Sequence, residues 1–413
     1  AASDVYKRQD EETGEYTFPS VTDKVQFGGA VLNGGLMEIS GGTIRNNNVG
    51  WRGAGIASYG KIEMTGGTIS GNYARNSWGD GGAIYLSGKK NDTGEDYTAS
   101  NASYCTIFDG NFTKNKSDGA GGAVCADGYS ILYVKGGTFE NNAAATTGGG
   151  INVYSSCLRM SDGKISGNTA VSTNGSTGFG GGLNLTAGSV ADITGGTIEN
   201  NQSNSGGGIY ANGKSSFTAS NLKITGNTAA TNGGGICIPG TKDYEYNVSL
   251  ENVLIQGNKS ESGCGAGIYA ARAWKEETST GVLTLKNCQI KENYSTVAGG
   301  GIYLDKGVTA TMDGGEISGN HVINPTSQTN GGGIAVGGTF TLNSGKISDN
   351  IKDGSWNGGA AASVSGTFTM NGGEVSGNID TCTAENAENR TIGGGAFYVL
   401  GGTLNICLLY TSP

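Results

Sequence analysis

An asparagine returns along this chain at intervals that never fall below 25 residues: Asn47, Asn72, Asn115, Asn142, Asn168, Asn201, Asn227, Asn258, Asn293, Asn320, Asn350 and Asn378. The longest interval is 43 residues, so a coil of fixed minimum length carries insertions of varying size. An apolar residue stands three positions before each of these asparagines, and a glycine run follows most of them after a short stretch. A recurrence of this kind limits the fold to units that each pack on the unit before and the unit after.

Each copy holds three short strand signals. The first alternates apolar and polar residues, as in Ile62-Glu63-Met64, Leu158-Arg159-Met160 and Phe340-Thr341-Leu342, which is the two-residue period of a strand with one buried face. The second centres on one apolar residue: Ile69, Phe112, Ile165, Ile198, Ile224, Ile255, Ile290, Ile317 or Ile347. The third follows the glycines, as in Ile84-Tyr85-Leu86, Ile151-Asn152-Val153 and Ile302-Tyr303-Leu304. Strands this short cannot stand as hairpins, but coil stacked on coil at roughly 4.8 Å pairs each with its counterparts above and below. The pattern predicts an all-β, right-handed parallel β-helix of about 12–13 coils with three strands per coil. Composition agrees. Apolar residues make up 35% of the chain, which suits a thin core repeated many times. Glycine, at 78 residues against 4 prolines, suits tight corners rather than a linker. The asparagines are expected at a corner, since Asn tolerates the left-handed conformation, with their amides stacked in a ladder.

The β-helix is expected over residues 25–406, with residues 10–24 as the remnant of an earlier coil. Ala1 to Gln9 and Cys407 to Pro413 fit no part of the repeat. Both resemble translated sequencing-library adapter, one end matching its reverse complement at the other, and are read as scars on a fragment truncated at both ends.

The pairing of Gly-Gly-Ala-apolar with Phe-x-x-Asn, seen in Gly81-Gly82-Ala83-Ile84, Gly121-Gly122-Ala123-Val124, Phe112-x-x-Asn115 and Phe139-x-x-Asn142, resembles the repeats of polymorphic outer membrane proteins. The chain also resembles bacterial surface adhesins of the pectate-lyase-like superfold. This resemblance implies a bacterial surface protein with an adhesin-like role, at an extracellular or cell-surface location. Enzymes of that superfold gather acidic residues on adjacent coils with a basic residue.

No catalytic set stands out. The only histidine, His321, is expected in a solvated loop, so histidine triads and His-based metal sites lack their parts. The glycine runs lead into strands and none reads as a phosphate loop. Glu38 and Glu63 are neighbours on the first strand but no third acid or base joins them. Asp80 and Asp118 lie beside successive glycine runs, as ordinary loop acids rather than a calcium pair. No metal or cofactor is expected. A net charge of −9 without basic clusters argues against nucleic acid, and no apolar run is long enough to span a membrane.

Aromatic residues give the best binding signal. The outward position of the third strand reads Ala57, Tyr85, Cys125, Asn152, Asn184, Tyr210, Cys237, Tyr269, Tyr303, Ala335, Ala362 and Phe397. Trp51, Trp78 and Trp356 each precede a glycine run, and Arg52 adjoins the first. Trp51, Arg52, Trp78, Tyr269 and Tyr303 are the candidate ligand contacts, with glycans or host-cell surface molecules as partners. Aromatic side chains also cover core ends and favour sheets without any ligand. Cys237 and Cys264, one coil apart, could approach as a disulfide or act as small strand fillers. Three functions remain open: a non-enzymatic stalk or adhesin segment, a fragment of a polysaccharide lyase or glycoside hydrolase, and a structural spacer.

Overall fold

Every coil of this protein turns its apolar side chains toward one axis and leaves its backbone hydrogen bonds to the coils on either side. The computed structural model describes residues 27–88, 103–171, 178–212, 214–242, 244–273, 280–323, 330–353, 358–381 and 394–407, with the backbone of the antiparallel pair Arg8–Gln9 and Tyr16–Thr17. Trp356, Cys382, most of the segment before residue 27 and residues 408–413 lie outside the described residues.

The described coils form a parallel β-helix with three principal sheets. A 22-stranded sheet joins the first and second strands of every coil, a 13-stranded sheet holds the strands that follow the glycine runs, and a 12-stranded sheet holds two-residue strands. That last sheet differs from the sequence expectation, which placed a loop directly after each asparagine. Strands such as Tyr73–Ala74 and Ala143–Ala144 are too short to carry a hydrophobic period of their own, so only their pairing reveals them. His321 is in one of them, His321–Val322, where Nε2 lies 2.6 Å from Asp353 Oδ2. It is half-buried in a sheet rather than held in a solvated loop.

The register is one residue to one residue along the stack, apart from shifts after Met312 and Asp313 where Val308–Ser318 pairs with Thr339–Ser348. Ile69 pairs with Phe112, Phe112 with Phe139, Phe139 with Ile165 and Ile165 with Ile198, and the same column continues through Ile224, Ile255, Ile290, Ile317 and Ile347. All of these side chains are at most 1% exposed. Each such burial contributes roughly 1.5–3 kcal/mol by transfer. Phe112 and Phe139 stack with centroids 4.7 Å apart and planes 6° from parallel, as identical register demands.

The corners have three separate devices. The first glycine of a run takes a left-handed φ in ten coils, including Gly81 (+68°), Gly148 (+64°) and Gly206 (+67°). A Cβ there would meet the carbonyl oxygen three residues on, at 2.6 Å in Gly206. The second device is the asparagine corner, where the sequence expectation needs correction. The left-handed residue is the one before each asparagine: Asn46, Gly71, Lys114, Asn141, Gly167, Asn200, Gly226, Gly257, Glu292, Gly319, Asp349 and Gly377. The asparagines themselves keep ordinary φ values and spend their amides on neighbouring coils. The third device is a buried serine column. Ser130 and Ser156 hydroxyls lie 3.2 Å apart, and the Ser189 hydroxyl donates to Val153 O at 2.9 Å.

Candidate functional site: an aromatic-rimmed groove on the glycine-run sheet

The residue just before the first glycine of each run forms a column of its own. Gly53 N donates to Asp80 O, Gly81 N to Ala120 O, Gly121 N to Thr147 O and Gly148 N to Phe179 O. These residues fold over the outer face of the glycine-run sheet. Phe179 stacks on Tyr210 at 4.6 Å, Thr147 Oγ1 donates to Asn152 Oδ1 at 3.0 Å, and the Arg52 guanidinium lies 4.8 Å from the Tyr85 ring centroid. The outward column is therefore largely covered. Tyr85 is 1% exposed, Cys125 and Cys237 2% each, and Asn184 0%. A sequence row showed which residues point away from the axis, but not that a second layer lies over them. At its far end the row also needs correction: Ala335 pairs with Ser363 and Ser363 with Tyr398, so Ala362 and Phe397 belong to the inward column.

The cover opens beside Arg52. Ala120 is small in the covering column and Cys125 small beneath it, and between Asp80 and Thr147 they leave a cavity of about 370 Å³ lined also by Arg52, Trp78, Asp127, Asn152 and Tyr154. Trp78 reaches its rim from a turn in which Asn76 takes φ of 78° and accepts the Trp78 N–H on Oδ1 at 2.8 Å, the local geometry that Asn supplies best. Trp78 is 66% exposed. Tyr154 ends the strand Ile151–Tyr154 and is 50% exposed.

A charged cluster spans one end. Arg52 Nε lies 3.3 Å from Asp80 Oδ2, and its Nη1 donates to the Tyr85 hydroxyl and, at 3.4 Å, to Asp127 Oδ2. Tyr85 donates to Asp127 Oδ2 at 2.6 Å, and Ala120 N donates to Asp80 Oδ1 at 2.9 Å. Burial opposes the Arg52 charge, but Tyr85, Asp80 and Asp127 outweigh it and its pKa rises. Burial pushes the Asp80 carboxyl above the usual carboxylate range, with Asp127 acting the same way, while the Ala120 N–H and Arg52 pull it down. The Tyr85 phenol is also pushed up, first by burial and then by Asp127. Asp127 Oδ1 takes no hydrogen bond among the described residues, and the Asp127 side chain is partly exposed.

Of the candidate contacts, Arg52 and Trp78 share this groove. Trp51 packs edge-on against Phe27 at 5.8 Å and has no ring contact with Trp78. The two tryptophans also hold different positions in their coils, because Arg52 is level with Asp80. Tyr269 and Tyr303 stack at 5.2 Å, 6° from parallel, six coils beyond Tyr85 along the same column, roughly 29 Å away at the usual strand spacing. Asp127 and Tyr154 escaped sequence reasoning. They are adjacent in the column Ser87–Asp127–Tyr154–Thr186, two residues past the column of Tyr85 and Cys125. Asp80 and Asp118 do not converge: Asp118 accepts from the Tyr73 hydroxyl at 2.8 Å. Cys264 is half-buried and Cys237 buried, both free thiols.

Eleven links join the twelve corner asparagines. Each Nδ2 donates to the next asparagine's Oδ1, from Asn47 to Asn72 at 2.9 Å through to Asn350 to Asn378 at 2.9 Å. The same Oδ1 accepts the preceding asparagine's backbone N–H, as in Asn142 to Asn168 at 2.9 Å. The second Nδ2 hydrogen reaches a carbonyl one coil back, as from Asn227 to Ile198 O at 3.0 Å.

A family model described as a right-handed β-helix region matches residues 178–344, under half of the chain. The repeat of the Chlamydia polymorphic membrane protein matches residues 107–127, a span that holds Phe112, Asn115 and Gly121–Val124 and ends on Asp127 of the groove. No curated protein matches the chain, and no solved structure matches it. Among the described residues no helix is long and apolar enough to cross a membrane. Stacked register, glycine corners and these two matches together make the chain a right-handed parallel β-helix repeat protein that resembles the polymorphic membrane proteins.

Proposed function

We propose that this chain is an extracellular β-helix segment of a bacterial surface protein, stalk- or adhesin-like, that holds glycan in the groove beside Arg52. The likeness of residues 107–127 to a membrane-protein repeat supports the surface setting. The observation that carries the binding reading is the groove itself: two exposed aromatic side chains, Trp78 and Tyr154, beside hydrogen-bonding groups on a rigid sheet. Sugar rings offer an apolar face to aromatic rings and hydroxyls to carboxylates and guanidinium. A sheet-borne site is already organised before the ligand arrives, which lowers the cost of binding. Glycan-array screening followed by calorimetry tests this. The double variant Trp78→Ala/Tyr154→Ala should lose at least about tenfold in affinity, the equivalent of 1.4 kcal/mol. Unchanged binding by that variant would remove the groove from the account, and binding to no glycan would leave the spacer.

A second reading, a carbohydrate-active enzyme, has one observation in its favour. Asp80 and Asp127 flank one guanidinium, and the Asp80 carboxyl is held above its ordinary range, as a general acid requires. Release of reducing ends or unsaturated products from pectin, alginate or host glycans, abolished by Asp80→Asn, is the result that would favour it.

A further inference from the structure

We propose that the ligand of this groove carries a protonated amine, making it an amino-sugar glycan rather than a neutral or N-acetylated one; this rests on the glycan reading above. Unfilled acceptors and uncancelled charge in the groove call for such a ligand. The groove wall holds two carboxylates, Asp80 and Asp127, and one guanidinium, Arg52. Asp80 is engaged at both oxygens: Oδ1 takes the Ala120 N–H and Oδ2 is ion-paired with Arg52 Nε at 3.3 Å. Asp127 is not. Its Oδ2 is shared between Tyr85 and Arg52, while Oδ1 takes no hydrogen bond among the described residues and the side chain is 23% exposed. A ligand group placed there must donate, and the surplus negative charge favours a cation over a hydroxyl.

The neighbours fit the same ligand. A cation near the face of an aromatic ring is attracted by its quadrupole, and Trp78 and Tyr154 present such rings at the cavity rim. The Thr147 hydroxyl gives its proton to Asn152 Oδ1 at 3.0 Å, which leaves its oxygen to accept from a sugar hydroxyl. An acetylated nitrogen would bring neither charge nor the ammonium's three donors.

Calorimetry on the intact chain at pH 6 and low salt, with glucosamine oligomers, N-acetylglucosamine oligomers and cello-oligomers of equal length, tests this. The deacetylated oligomer should bind about tenfold or more tighter than the other two, the range for a hydrogen bond to a charged group. Salt should narrow that ratio, and Asp127→Asn should bring it near unity. Trp78→Ala should weaken all three while keeping the order. Equal affinity for charged and uncharged oligomers overturns the amine while leaving glycan binding intact. Failure to bind any of the three, with another glycan positive on the array, also overturns it; failure across the array overturns both.

Discussion

Asn227 sits in the middle of the ladder with every amide position filled. It donates to Asn258 Oδ1 and Ile198 O and accepts from Asn201 N and Asn201 Nδ2, each at 3.0 Å. Asn227→Ala would strand several buried donors and acceptors at once, and a cost of about 3 kcal/mol is expected. Thr228→Ala, one residue on, should cost under about 0.5 kcal/mol, because Ala143 already occupies the same column three coils away. Equal midpoints in urea unfolding for the two variants would contradict the ladder's energetic role. Asp80 gives a pH signature. Its folded pKa lies above the unfolded value, so its proton is held more tightly in the fold. Its contribution to stability is present below the unfolded pKa and disappears as pH rises through the folded one. The melting temperature of wild type relative to Asp80→Asn should therefore be higher at pH 4 than at pH 7, as differential scanning would record. At this scale the periodicity of the sequence located all twelve asparagines. It misassigned their backbone, because Asn is a good left-handed residue in general and only the coordinates show that its predecessor holds that role.

The coil is the next scale, and its glycines are not equivalent. Gly206 combines φ of +67° with a backbone oxygen 2.6 Å from where a Cβ would stand, whereas Gly34 has open space around it and no left-handed φ. Gly206→Ala should cost about 2 kcal/mol through strain and the shift it forces. Gly34→Ala should be neutral or stabilise by about 0.5 kcal/mol, through the unfolded chain. Thermal melts of the two single variants check the contrast, and a Gly206→Ala protein as stable as wild type would refute it. The three long strand families were legible because each buries an alternating or central apolar residue. The two-residue strands were not, since Tyr73, Lys116, Ala143 and Thr169 share a column without sharing any side-chain property. The groove was half legible for a related reason. Trp78 and Arg52 declare themselves as unusual residues, but Asp127 matters only because Tyr85 and Arg52 reach it from other coils.

Across the whole molecule, stability is a sum over coils and the contacts between neighbours. Removing residues 202–227 joins Asn201 to Thr228, replaces one coil's start with the next, and leaves Asn201 facing Asn258. The shortened chain should stay soluble, keep its β-sheet circular dichroism and lose roughly 4.8 Å of length by small-angle scattering. An unfolded or aggregated product would mean that coils are less interchangeable than their register suggests. The ladder adds a property that no single coil has. All eleven amide links run the same way, N–H toward the later coil, whereas the peptide dipoles of the strands largely cancel. The asparagine column is therefore an electrical vector along the rod, with its carbonyl pole at Asn47 and its amino pole at Asn378. Every link presents oxygen toward the earlier coil and nitrogen toward the later one, so the winding of the chain gives the rod a polarity that a charge lying along its axis would feel.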